Sequence, residues 1–211
     1  MHNPRIDDIR NDEVFETLEE LKSAGKIRHY GVALGPAIDI RQSTEGVAAF
    51  EERDVSSVQI IFNLLEQFLG PDVFNAAKKS HGGVMCRVPH ASGLLEGSYT
   101  TETTFAANDH RQFRVKTSEA RREWLDVGLQ KVEKLNFLTK DAGRTIGQAA
   151  LQYIWSEPTM TSAIPNIYEL SQLEEFAAAA DAPALTADEV TQIMELYNNN
   201  FHLSTEPVGA A

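Results

Sequence analysis

Residues 27–62, IRHYGVALGPAIDIRQSTEGVAAFEERDVSSVQIIF, combine a short apolar run, a helical pattern and a second apolar run. A glycine–proline pair, typical of a turn, closes the first run, residues 27–34. Apolar side chains at helical spacing then predict a helix over about residues 40–52, and residues 55–62 form the second run. A strand, a crossover helix and a further strand indicate parallel strands with helices packed outside them.

The same alternation continues on both sides of this segment. Upstream, Asn11 can cap a helix whose apolar positions extend to Leu21, and downstream Pro71 opens another short helix that ends at Gly82 and Gly83. The further predicted elements are a strand at residues 84–88, a long loop at about residues 91–115, helices at about residues 118–138, 145–155, 170–180 and 186–200, and a very short strand at residues 162–165.

The four predicted strands fit two architectures. They can form half of an eight-stranded barrel or an open three-layer sheet, and periodicity alone does not decide between them. No fixed repeat and no linker marks a second domain in the 211 residues.

The composition excludes some classes of partner. Lys and Arg number 19 against 31 Asp and Glu, which gives a net charge of −12. Nucleic acid is therefore not an expected partner, although a local pocket for one small phosphate ligand is compatible with this charge.

The single cysteine and the first residues give further indications of the class of protein. Cys86 lies in an apolar run and has no second cysteine, so we expect a buried, inert thiol, no disulfide and no metal site. The N-terminus lacks an apolar signal-peptide core, and no apolar stretch approaches the ~20 residues of a membrane span. We expect a soluble cytoplasmic protein that does not contact membranes.

Several motifs occur in a fixed order along nearly the whole chain. They are MHNP at residues 1–4, LEELKSAGKIRHYGV at 18–32, VQIIFNLL at 58–65, PHASGLLEG at 89–97, and AIP with QLEE at 163–165 and 172–175. Together they resemble the aldo-keto reductase family. The resemblance implies a partial TIM (β/α)8 barrel, from the end of strand four to strand eight, over residues 1–203, with residues 204–211 as a flexible tail. In such barrels the active site lies at the carboxyl ends of the strands.

The resemblance also implies a reaction. The family reduces aldehydes and ketones to alcohols by transferring hydride from NADPH to a small-molecule carbonyl substrate. A tyrosine supplies the proton, tuned by a lysine and an aspartate, and a histidine orients the carbonyl. For this chain the resemblance implies NADP(H), with NAD(H) as the alternative.

Eight positions match functional positions of the family. The resemblance implies that His2 is the catalytic histidine and that Gln59 hydrogen-bonds the nicotinamide carboxamide. The other matches are Arg87, where an aromatic ring commonly stacks on nicotinamide, Ser92, Gly93 and Leu94 in the pyrophosphate loop, and Gln172 and Glu175 on the adenosine side. Without the resemblance, these positions are consistent with a frayed terminus, a polar strand end, a plain turn and a solvated helix face.

Five positions depart from the family pattern. Ala33 and Leu34 stand where the family often has serine and asparagine, and Arg87 replaces the aromatic residue. His90 replaces a leucine of the pyrophosphate loop, and Phe176 replaces the asparagine that follows QLEE. These departures leave the affinity for the cofactor and the choice between NADP and NAD open.

The partners of the catalytic histidine are missing from the matched motifs. The tyrosine, lysine and aspartate belong to the first four strands of the family barrel, and this chain does not match those strands. We therefore expect no carbonyl reduction by the chain alone. The alternative hypothesis is a non-catalytic remnant or interaction module, which would self-associate or pair with a missing N-terminal half. The charged cluster at residues 108–111 is interpreted as a solvated loop tip.

Overall fold

A computed structural model describes residues 1–109, 111 and 118–204 of the chain. They contain one four-stranded parallel sheet in which the order of the strands follows the order of the chain. The strands are β1 (Gly31–Ala33), β2 (Ser57–Ile61), β3 (Gly83–Arg87) and β4 (Met160–Ile164). The predicted parallel α/β architecture is confirmed. A sequential strand order is consistent with a TIM-type barrel, whereas a doubly wound sheet reverses its order at a switch point.

Helices connect and flank these strands. They are α1 (Ile6–Ile9), α2 (Asp12–Ser23), α3 (Arg41–Arg53), α4 (Gly70–Ser80), α5 (Ser118–Lys134), α6 (Ile146–Trp155), α7 (Leu170–Ala177) and α8 (Ala187–Asn198). Short 3-10 segments are formed by Asn136–Leu138, Ala178–Ala180 and Asn200–His202, and by Ala91–Glu96, which is kinked at Ser92 and Gly93.

The predicted helix caps are confirmed. The side chain of Asn11 accepts a hydrogen bond from the backbone N–H of Glu13 at the start of α2. Thr145 caps α6, and Thr186 forms a capping box with Glu189 at the start of α8. These caps satisfy backbone N–H groups that have no partner inside the helix.

The first strand is shorter than predicted. It was expected over residues 27–34 but includes only Gly31–Ala33. The reason is the register: Gly31 pairs with Ser57, where β2 begins, so residues 27–29 have no partner strand beside them. The length of a strand depends on its register with the neighbouring strand, and the local apolar pattern does not reveal that register.

Other boundaries also differ from the prediction. The loop expected at residues 91–115 begins with the 3-10 turn, and β4 starts at Met160 rather than at residue 162. His81, with φ of 56°, ends α4 in place of the predicted glycine pair. The tail predicted at residues 204–211 lies outside the described residues, except for Ser204.

The sheet is packed on one face. Val58 and Ile60 of β2, with Val84 and Cys86 of β3, are fully buried in the main hydrophobic core. On the opposite face, Gln59, Met85 and Arg87 are only partly buried, whereas Ile61 at the end of β2 is buried. Burial raises the pKa of the Cys86 thiol to about 12, which supports its interpretation as inert. We call the partly buried surface the open face of the sheet.

Candidate active site at the carboxyl edge of the sheet

The catalytic candidate His2 lies beside the end of β1. It forms a parallel bridge with Ala33, because the N–H of Ala33 donates to the carbonyl of Met1 (2.9 Å) and the N–H of Asn3 donates to the carbonyl of Ala33 (2.8 Å). Residues 1–3 thus extend the sheet by a single bridge. The imidazole of His2 is exposed to solvent.

Gln59 occupies the neighbouring strand on the open face. It is in register with Ala33 on one side and with Met85 on the other. No hydrogen bond links its carboxamide to any described residue. The sequence prediction therefore falls on a half-buried amide whose donor and acceptor are both available to a ligand.

Arg87 ends β3 and extends its side chain across the edge of the sheet. Its Nη2 donates a short hydrogen bond to the carbonyl of Pro36, in the loop after β1. Gly35 lies against it: a Cβ at Gly35 would sit 2.6 Å from Arg87 Nη2 and 2.4 Å from Asn3 Oδ1. Oδ1 of Asn3 is buried and has no partner among the residues that the structure describes. This edge therefore holds a guanidinium and an unsatisfied carbonyl oxygen side by side.

The predicted pyrophosphate loop is a turn covered by an aromatic side chain. Ser92 and Gly93 have φ of 59° and 101°, in the region that favours glycine. The hydroxyl of Tyr99 donates to the carbonyl of Ser92 (2.9 Å), and a Cβ on Gly93 would lie 2.1 Å from that hydroxyl oxygen. Leu94 is buried in the core, so its side chain does not face a ligand.

Gln172 joins this turn to α7. Its Oε1 accepts hydrogen bonds from the N–H groups of Tyr168 (2.8 Å) and Glu169 (3.2 Å), and its Nε2 donates to Glu96 (2.9 Å). The side chain predicted to contact adenosine is thus engaged within the protein. It holds the loop that follows β3 against the loop that follows β4.

Glu175 is turned toward α6. Its carboxylate accepts a short hydrogen bond from the hydroxyl of Thr145, and its backbone carbonyl accepts one from Gln148 (3.1 Å). A Cβ on Gly147 would be 2.9 Å from the carboxylate. Glu175 therefore also has a structural partner in the absence of any ligand.

The eight predicted residues form two groups. His2, Gln59 and Arg87 lie along β1, β2 and β3, whereas Ser92, Gly93, Leu94, Gln172 and Glu175 surround the contact between Glu96 and α7. Arg87 lies four residues before Ala91, where the segment with Ser92, Gly93 and Leu94 begins, so the two groups are close along the chain at this point.

Sequence reasoning missed a contact between two of the departures from the family pattern. His90 is 3% exposed, and its ring stacks on that of Phe176 with centroids 4.1 Å apart. Its Nε2 is 3.1 Å from the carbonyl of Gly147. Burial lowers the pKa of His90 to about 4, so the ring is neutral at pH 7. The signal was present in the sequence, since both residues depart from the same motif set.

A second missed residue is Asn63, which is fully buried after β2. Its amide donates to Glu66 (2.8 Å) and to the carbonyl of Val88 (3.0 Å), and its Oδ1 accepts from the N–H of Leu65 (2.9 Å). These bonds fix the end of β2 against the end of β3. The motif at residues 58–65 contains Asn63, but its contact with the end of β3 depends on the distant carbonyl of Val88.

Arg111 is not the solvated loop residue that was predicted. It pairs with Asp109, donates to the hydroxyl of Tyr99 (2.6 Å), and lies 5.3 Å from the ring centre of Tyr168. It thus connects the long loop to the start of α7. His110, from the same predicted cluster, lies outside the described residues.

A surface cavity of about 500 Å³ lies elsewhere in the described part of the chain. It lies between α5 and the loop at Thr101 and Glu102, and no strand residue lines it. Sheet topology is a better guide than cavity size here, because parallel barrels bind ligands at the carboxyl ends of their strands. Among the described residues there is no His, Cys, Asp or Glu cluster suited to a metal ion, and no helix long and apolar enough to cross a membrane.

Comparison with known proteins agrees with the topology. The chain is 27% identical over 205 residues to the aldo-keto reductase YhdN and 25% identical over 191 residues to the uncharacterized oxidoreductase YqkF, both of Bacillus subtilis. The matches cover 94% and 90% of this chain and 56% of each relative, so the chain spans little more than half of their length. The structure of the glycerol dehydrogenase AKR11B4 of Gluconobacter oxydans matches all of this chain and 61% of its own, with a TM-score of 0.71 and 21% identity.

The structural match, at this identity, shows the fold alone. The family follows from the sequence, because the model of the aldo/keto reductase family matches residues 1–198, nearly the whole chain. The chain belongs to the aldo/keto reductase family.

Proposed function

We propose that the carboxyl edge of this sheet is part of the active site of an NAD(P)H-dependent reductase that converts aldehydes or ketones to alcohols. The supporting observation is the half-buried carboxamide of Gln59 on the open face, next to Ala33 of β1, which also bridges to His2. This carboxamide has no partner among the described residues. Its nitrogen can donate hydrogen bonds and its oxygen can accept them. A nicotinamide carboxamide has the complementary donor and acceptor.

The other residues of the edge are suited to binding and orientation. A bound dinucleotide would supply the hydride that reduces the carbonyl carbon. Arg87 would hold the loop after β1 in place, Gln59 would orient the nicotinamide ring, and His2 would hydrogen-bond the carbonyl oxygen of the substrate. The unsatisfied Oδ1 of Asn3 is a further acceptor for a bound group.

The proton donor must come from residues outside the motifs matched here. The phenol of Tyr30 lies at the other end of β1, bonded to Glu19 (2.6 Å), and burial raises its pKa to about 12. It is therefore unsuited to give a proton to a substrate near neutral pH. We propose that activity requires four further strands, which would cover the open face and complete a barrel.

A second candidate function follows from the same face. Partly buried side chains on one side of the sheet, and a last strand β4 that pairs only with β3 in the described sheet, favour an interaction module. Its partner would be a chain that supplies those strands or a second copy. This candidate predicts association without any affinity for dinucleotides.

Titration with NADH and NADPH, followed by nucleotide fluorescence, tests the first proposal. Binding at up to about millimolar concentration is expected, and no binding of either nucleotide would rule it out. In Gln59→Met, the lost hydrogen bonds should weaken binding about three- to tenfold. The matched control Gln130→Met, at an exposed position of α5, should bind as the parent does.

A further inference from the structure

Exposed apolar side chains are concentrated between β4 and α7. Among the described residues eight large apolar side chains are exposed, and four of them lie within residues 167–173: Ile167, Tyr168, Leu170 and Leu173. We call these four side chains the apolar patch. Single exposed apolar side chains are common on protein surfaces, but a contiguous group of them typically marks an interaction surface.

The local structure holds the apolar patch outside the core. Leu170 begins α7 and is 68% exposed, and Leu173 lies three residues further on the same side of the helix. The packed side of α7 is provided by Phe176, which is buried with Leu151 of α6. The loop before α7 is fixed by Gln172, whose Oε1 accepts hydrogen bonds from two backbone N–H groups of that loop. A partner would therefore meet a surface that is already ordered.

The surroundings of the apolar patch are acidic. Residues 145–211 contain nine aspartates and glutamates but no lysine and no arginine. Two of these acidic residues, Glu169 and Glu174, lie within or directly after the patch, and both are exposed. A second copy that docked patch to patch would bring like charges together, which is unfavourable. A partner with lysine or arginine beside its apolar side chains is complementary.

The chain itself places a cation against the apolar patch. The guanidinium of Arg111 lies 5.3 Å from the ring centre of Tyr168, which is a favourable contact. Tyr168 is nevertheless 54% exposed, so part of its side chain is accessible to a second group. On the other side, Arg87 is in register with Ile164 at the end of β4. We therefore expect a cationic partner to contact the α7 side of the patch.

We propose that the apolar patch docks a polypeptide partner that presents an apolar stripe flanked by lysine or arginine, as a cationic amphipathic helix does. Leu170 and Leu173 would be covered by the apolar stripe, and Glu169 and Glu174 would face its cations. Apolar contact supplies the affinity, and the charges select the partner and its orientation. The inference does not depend on the proposed reductase function.

Fluorescence anisotropy with labelled peptides tests this proposal. The probe is a synthetic helix of about 18 residues with leucine on one face and lysine on the other, and a reference peptide has glutamate in place of lysine. At about 0.1 M salt the purified chain should bind the lysine peptide at least about tenfold more tightly, and added salt should reduce the difference. Binding of neither peptide, or equal binding of both, would overturn the proposal.

Variants of apolar residues locate the contact. Leu170→Ser removes the most exposed member of the apolar patch and should weaken binding of the lysine peptide about tenfold. Met194→Ser is the matched control, because Met194 is also exposed (51%) but lies on α8, and it should bind as the parent does. Equal losses in the two variants would show that the peptide does not bind at the patch. Should Leu170→Ser fail to fold by circular dichroism, Ile167→Ser provides the same comparison.

Variants of acidic residues test the role of charge. Glu174→Gln should weaken binding of the lysine peptide about threefold, because it removes an exposed carboxylate beside the apolar patch. Glu195→Gln, at an exposed position of α8, changes the net charge equally and should have no effect. If the two variants weaken binding alike, only the net charge of the protein matters and the local assignment is wrong.

Two further measurements distinguish other occupants. If Leu170→Ser lowers the mass of the chain in light scattering, a second copy covers the apolar patch and the inference is wrong. If NADH at about millimolar concentration displaces the lysine peptide, the patch belongs to a nucleotide site, which contradicts the inference and supports the proposed function. The expected results are an unchanged mass and no displacement.

Discussion

At the scale of single residues, His90 couples protonation to folding. The folded pKa of about 4 lies below the value of about 6.5 for a solvated histidine. The unfolded chain therefore takes up this proton at a higher pH than the folded protein does. The contribution of His90 to stability is complete above about pH 6.5 and decreases as the pH falls toward 4, by up to about 3 kcal/mol.

Replacing this residue should change the dependence of stability on pH. In His90→Leu, the free energy of unfolding in urea should decrease less between about pH 7 and pH 5 than it does in the parent. The control is His81→Asn at an exposed left-handed position, which asparagine tolerates, and its pH dependence should equal that of the parent. Identical slopes for parent and His90→Leu would show that the buried imidazole is not the titrating group.

The sequence suggested roles only for side chains that lie in the family motifs. Gln59 was identified from its motif, and its carboxamide is half-buried, but its role toward a cofactor stays a prediction. The partners of Gln172 were not foreseeable, because Glu96 is 76 residues away and the hydrogen bond depends on how two loops meet. The stacking of His90 on Phe176 was not foreseeable for the same reason. Each residue departs from the family pattern, but the two are distant in sequence and meet only in the folded protein.

At the scale of elements, Arg144 joins the segments around α6 and α8. Its buried guanidinium donates to the carbonyls of Leu138 (2.8 Å), Pro183 (3.0 Å) and Ala184 (3.1 Å), and forms an ion pair with Glu189. One side chain thus satisfies three carbonyl groups and a carboxylate. The pKa of Glu189 is lowered: burial acts against this, but bonds from Thr186 and the charge of Arg144 outweigh it.

Removal of this cation should be costly. Arg144→Met leaves the carboxylate and the carbonyls without their donor, and should reduce the free energy of unfolding by about 3–5 kcal/mol in urea titrations at pH 7. Arg10→Met breaks a solvent-exposed ion pair with Glu52 and should have almost no effect. Comparable losses in the two variants would mean that burial does not determine the strength of these pairs.

Helix starts were predicted better than strand ends for a physical reason. Caps such as Asn11, Thr145 and Thr186 bond to backbone groups two or three residues away, so the local sequence contains all the information. Strand limits depend on a neighbour far along the chain: β1 begins at Gly31, opposite Ser57, the first residue of β2. The alternation of strands and helices was therefore predictable, and their limits were not.

At the scale of the whole molecule, our predictions for the isolated chain concern the open face of the sheet. The family reaction uses a tyrosine as proton donor at the substrate carbonyl, and the strands β1, β2 and β3 contain no tyrosine. The matched region is 56% of the length of each of the two Bacillus subtilis relatives. Activity and oligomerisation are therefore linked in our proposals.

We expect the purified chain to show no NADPH or NADH oxidation with a panel of aldehydes and ketones. In light scattering, its mass should rise with protein concentration as the open faces associate. Nucleotide oxidation by a monodisperse monomer would contradict both expectations. Addition of a fragment that supplies the other strands should restore turnover if the barrel is the active form.

The spacing of the strands along the chain has a consequence for synthesis on the ribosome. β1, β2 and β3 begin at residues 31, 57 and 83, so each can dock on its predecessor soon after it emerges. β4 begins only at residue 160 and must wait while more than seventy further residues are translated. During that interval the free side of β3 is uncovered, and a pause in translation within this stretch would expose the nascent protein to misassembly at that side.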